Sequence, residues 1–118
     1  MNLSEIKNII ENNPVSLSTV MVDGRPNAVG VACVKVVSNN EIIITDNYMN
    51  QTPKDISVNK NVCLLVWDSE MKGYKIIGQA EYFTVGKWVD YVKNLLDNES
   101  LPAKGAILVT VEKIIKSA

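Results

Sequence analysis

Between Val15 and Thr45 the chain runs through three β-rich segments with only short turns between them. Parallel neighbours need a crossover of about a dozen residues or more, so this spacing demands antiparallel pairing. Val15 to Val22 alternates, and Asp23-Gly24 follows as a hairpin turn because Gly accepts positive φ cheaply. Ala28 to Val37 is the second predicted strand, and Asn39-Asn40 turns it into the third, Glu41 to Thr45. Val62 to Trp67 is a continuous apolar strand, Asp68 to Gly73 a turn, and Tyr74 to Thr84 a fifth strand. Ala106 to Ile115 is the last. Three helices are inserted. Ser4 caps Glu5 to Asn12, with Ile6, Ile9 and Ile10 on one face and Pro14 ending it. Thr52 caps the second, with Pro53 at its first position. Gly86 to Leu96 is the third, with Trp88, Val89, Val92, Leu95 and Leu96 at helical spacing. The pattern predicts a six-stranded antiparallel barrel with helices packed outside. Closure also removes exposed edges, which suits so β-branched a sequence.

A chain of 118 residues is expected to form one domain, 1–118, with a core of its own. A net charge of −1 and a pI near 5.4 give no electrostatic argument for nucleic acid. No run approaches the roughly 20 apolar residues of a membrane span, and Met1-Asn2-Leu3-Ser4-Glu5 lacks the features of a signal peptide. Cys33 and Cys63 sit in apolar runs and read as free thiols of a reducing cytoplasm. The chain has no His, no paired acid motif and no metal-ligand cluster. No catalytic residue is therefore named.

Two features could bind a ligand. On the second strand, Ala28, Gly30 and Ala32 share one face, while Val29, Val31 and Cys33 share the other. A planar ring fits against such a flat face; a sharply bent barrel strand explains it equally, and more simply. The helix start around Asn50, Gln51 and Thr52 is the second. Free N–H groups there suit an anion, with Asn47 as a further neutral donor, Lys54 as a cation, and Asp55 placing negative charge near the helix start. A cap that serves only its own helix is the alternative. Trp67 and Trp88 read as packing residues. Lys104 reads as a solvated charge, or as a cation offered to a ligand if its loop lies on a subunit seam.

The motifs resemble those of the FMN-binding split-barrel family, also called the pyridoxamine 5'-phosphate oxidase-like family. The resemblance runs through Arg25-Pro26, Val34-Lys35-Val36, Ile42 to Asn47, Gln51 to Ile56, and Asn59 to Trp67. Gly78-Gln79-Ala80-Glu81 is similar to the family's Gly-x-Ala-Glu signature. The resemblance implies a mainly β, six-stranded split barrel of Greek-key type with short helices. It implies a homodimer holding FMN at the subunit seam, with an unidentified small-molecule or protein redox partner. The phosphate is expected at Asn50, Gln51 and Thr52. The ring is expected along Ala28, Val29, Gly30 and Val31 and near Thr45 and Asp46, with Lys104 as a further contact. The true oxidases carry Arg where this chain has Gly30, and Arg-Lys where it has Gln51-Thr52. They also end in an Arg-rich segment, where this chain has Lys113 and Lys116. The implied function is electron transfer or flavin-dependent reduction or oxidation, not pyridoxamine phosphate oxidation. A module that only carries a flavin, deazaflavin or heme is the alternative.

Overall fold

The structure is a computed structural model and describes residues 1–117. In chain order the elements are α1 (Leu3–Asn12), β1 (Val15–Val20), β2 (Pro26–Val31), β3 (Val34–Val36), β4 (Glu41–Asp46) and α2 (Gln51–Val58). Then follow β5 (Asn61–Trp67), β6 (Gly73–Phe83), α3 (Lys87–Lys93), a 3-10 turn (Leu96–Asn98) and β7 (Gly105–Lys116). All strands pair antiparallel in one sheet of order β2-β1-β5-β6-β7-β4-β3. The fold is the split barrel that the sequence implied.

The strand count is seven rather than six. The expected second strand breaks at Ala32-Cys33 because its two halves pair with different neighbours. Val31 lies opposite Val15 on β1, whereas Val34 lies opposite Ile44 on β4, and the Cys33 carbonyl accepts from the Thr45 N–H at 3.1 Å. One continuous segment thus supplies both edges of the sheet. The hydrogen-bonded ladder does not close into a ring, and the opening lies where β2 passes into β3.

Alternation along the strands divides the apolar residues between two faces. Leu17, Ile42, Ile44, Leu64, Val66, Ile76, Ile107 and Val109 cluster with Leu3, Ile6 and Ile10 of α1 and Ile56 of α2. Ile43 and Ala106 pack on the other side against Val89 and Val92 of α3. The helices therefore share both faces of the sheet instead of all lying outside it.

Several local expectations need correcting. Asn2, not Ser4, caps α1: its side chain accepts from the Ser4 N–H at 2.9 Å, and Glu5 returns to the Asn2 N–H at 2.7 Å. The third helix ends at Lys93, and Leu96 falls in the 3-10 turn, 84% exposed. Gly78 marks a bulge between β6 and β7, where a Cβ would strike the Thr110 carbonyl. The Asp23-Gly24 turn forms as expected, with Gly24 at φ 89°.

Candidate functional site

The opening of the barrel is a cleft of about 260 Å³, lined by Val29, Gly30, Val31 and Ala32 on one side. Thr45 at the end of β4, then Asn47, Tyr48 and Met49, form the other wall, and Leu101 closes one edge. Ala28, Gly30 and Ala32 are exposed, while Val29 and Val31 pack against the core. The small-residue face is thus a real surface. A Cβ built on Gly30 meets nothing within 4 Å, so glycine here keeps space open without any backbone need for it.

Thr45 is 4% exposed, and its hydroxyl has no hydrogen-bond partner among the described residues. A buried polar group left unpaired is costly, and an outside ligand is one way to satisfy it. Asp46 next to it is fully buried but spoken for. Its Oδ2 accepts from Tyr82 Oη at 2.6 Å and Lys104 Nζ at 2.7 Å, and its Oδ1 from the Met49 N–H at 2.8 Å. Burial, then the bond to Asp46, pushes the Tyr82 phenol pKa upward. Lys104 also donates to the Met49 carbonyl at 2.8 Å. Asp46 and Lys104 therefore brace the Tyr48–Met49 wall. Asn47 and Asn98 exchange bonds at 2.7 and 3.0 Å, and Asn47 also accepts from the Ala103 N–H at 2.9 Å, which seats the Leu101 loop at the cleft.

At the second predicted site the helix starts two residues early. α2 begins at Gln51 after Asn50, whose side chain makes no capping bond, so Thr52 is not the N-cap and Pro53 is the third helical residue. Thr52 instead turns inward, 2% exposed, and its hydroxyl accepts from Asn27 Nδ2 of β2 at 3.2 Å. Asn50, Gln51 and Lys54 stay exposed. Asp55 is buried and not a surface charge at the helix start. Of the predicted contacts, Val29, Gly30, Val31 and Thr45 meet in the cleft, with Ala28 on the same strand face. Asn50, Gln51 and Thr52 stand beyond it, joined to β2 through Asn27.

The sequence model of the family described as Pyridoxamine 5'-phosphate oxidase matches residues 3–117. The chain belongs to that family. An uncharacterized protein of Methanocaldococcus jannaschii is 29% identical over 114 residues, spanning 93% of this chain and 76% of that one. Among solved structures, HupZ of Group A Streptococcus superposes with a TM-score of 0.89 at 26% identity, covering 99% of this chain and 94% of its own. An FMN-binding protein from Syntrophomonas wolfei superposes with a TM-score of 0.81 at 15% identity, covering 98% and 86%. That last likeness is one of fold. The chain is mainly β, and none of its described helices is long and apolar enough to cross a membrane.

Tyr48, Met49 and Leu101 were missed as cleft residues. Tyr48 carried a signal, an aromatic inside a polar loop between strand and helix. Leu101 carried none, because bonds from Asn47 to Asn98 and Ala103, 51 and 56 residues away, bring its loop to the cleft.

Proposed function

We propose that this chain is an FMN-binding flavoprotein that acts as a homodimer and passes electrons or hydride to a partner still to be identified. The observation that carries this reading is the buried, unpaired Thr45 hydroxyl at the foot of a cleft whose opposite wall is the open Gly30 face. A flat ring with a polar rim suits that pair of features. FMN, when bound, would supply the redox chemistry; the protein's part is to place it and tune it.

Val29, Gly30 and Val31, with Ala28, would lie along the ring, and Thr45 would hydrogen-bond its edge. Asp46 and Lys104 would hold the wall that orients it. The phosphate would take the uncapped start of α2 at Asn50, Gln51 and Thr52. Tyr48 is the only titratable side chain among the cleft residues, which leaves no general acid or base of carboxylate or imidazole type there. The rim also favours a second copy. Tyr48 and Leu101 are 75% and 41% exposed, and a partner over the cleft would cover both. Free thiols at Cys33 and Cys63 fit a cytoplasmic setting.

Oxidation of pyridoxamine 5'-phosphate is not part of this proposal. A second phosphate site calls for bidentate cations, and the sole arginine, Arg25, sits 80% exposed beside Asp23 on the hairpin turn. The test is equilibrium binding. FMN should saturate the protein with quenching of flavin fluorescence, and sedimentation should give a dimer mass. Absence of binding at high micromolar FMN removes the proposal.

A further inference from the structure

Asp55 is a buried carboxylate, 2% exposed, and among the described residues no cation pairs with it. Buried charges are ordinarily paired with a cation, so its retention calls for a reason. Its partners supply one. Oδ2 accepts from Thr19 Oγ of β1 at 2.7 Å, and Oδ1 from Gln51 Nε2 at 2.7 Å. Thr19 Oγ in turn accepts from Asn27 Nδ2 at 3.1 Å, and the same Asn27 nitrogen reaches Thr52 Oγ at 3.2 Å.

The direction of every bond follows from the carboxylate. An ionised carboxylate only accepts, so Thr19 must give it its proton. Thr19 is then left with lone pairs and must accept from Asn27. Asn27 spends its amide protons on Thr19 and Thr52, so Thr52 also accepts. A hydroxyl has one proton, and that of Thr52 finds no acceptor among the described residues. Thr52 is thereby set as a donor at the start of α2. Gln51 is fixed likewise: one amide proton goes to Asp55, and the other finds no acceptor among the described residues.

Building on the FMN reading, we propose that Asp55 is a positioning residue that sets Gln51 directly, and Thr52 through Thr19 and Asn27, as donors toward the cofactor's phosphate. A buried negative charge thus organises an anion site, by fixing which way hydroxyl protons point. It also joins β1 and β2 to α2, which keeps the phosphate end in register with the ring strand.

The experiment compares FMN with riboflavin, which carries the same ring without the phosphate, by fluorescence titration. Asp55→Asn keeps the shape but lets the side chain donate, so Thr19 no longer has to give up its proton. The FMN-over-riboflavin preference should fall about tenfold, the loss of roughly one hydrogen bond to a charged group, with riboflavin affinity unchanged. In a Thr52→Val background most of that further loss should vanish, since Asp55 acts mainly through Thr52. If Asp55→Asn does not fold by circular dichroism, Thr19→Val breaks the same relay and should give the same shift. An unchanged preference in the folded variant overturns the proposal and leaves the FMN reading standing. Failure of the unaltered protein to bind FMN overturns both.

Discussion

Tyr82 Oη reaches Asp46 Oδ2 at 2.6 Å by crossing over Gly105, which lies opposite Asp46 on β7. A Cβ on Gly105 would run into the Tyr82 hydroxyl and ring edge. Gly105 is therefore small so that β6 can bond the end of β4 across an intervening strand. All three bonds to Asp46 come from donors, and an Asn there would turn an N–H against one of them. Asp46→Asn should cost about 2–3 kcal/mol in urea denaturation, the penalty of a buried unpaired donor. Gly105→Ala should cost about 1–3 kcal/mol by overpacking. Loss of less than a few tenths in both variants would contradict the account of this junction.

The same bond predicts a pH dependence. The folded phenol of Tyr82 ionises above its unfolded value, so it contributes stability fully below about pH 10 and loses it as pH rises through the folded value. Tyr82→Phe should flatten the alkaline fall of stability. An identical alkaline profile in the two proteins would show that other groups set it.

Thr45→Val should have opposite effects on the two quantities. Without ligand, removal of an unpaired buried hydroxyl should raise stability by about 1 kcal/mol. FMN affinity should fall about tenfold if that hydroxyl meets the ring edge. Denaturation curves with and without FMN measure both. A variant that is less stable when free would mean that the hydroxyl already has a partner.

Gly30→Val tests the cleft by filling it. The new side chain enters open space, so the fold should be unaffected. The FMN affinity should drop at least tenfold, because a ring cannot approach a branched side chain as it does a bare backbone. A folded variant with full affinity places the ring elsewhere.

Much of this was legible in the sequence because it is local. The Asp23-Gly24 turn, the six β-rich segments and the small-residue face follow from alternation and turn chemistry, and the structure has them. The break at Ala32-Cys33 was not legible. Nothing local marks it, and it exists because β1 and β4 compete for the two halves of one segment. The cap of α2 failed for a similar reason. Thr52 looks like a cap locally, but Asn27, twenty-five residues away, claims its hydroxyl for the interior. Lys104 was read as free or ligand-facing, and its role as the partner of Asp46 across 58 residues has no sequence signature.

The substrate limits are open to a direct assay. With saturating FMN, pyridoxamine 5'-phosphate should give no steady peroxide production, since Arg25 lies exposed at the turn and outside the cleft. Turnover abolished by Arg25→Ala would restore the oxidase reading.

Titration of the purified protein with FMN, followed by flavin fluorescence, tests the central claim most directly. The account predicts saturable quenching, weakened by Gly30→Val and by Thr45→Val. Flat fluorescence up to high micromolar FMN, with the protein folded, would contradict it.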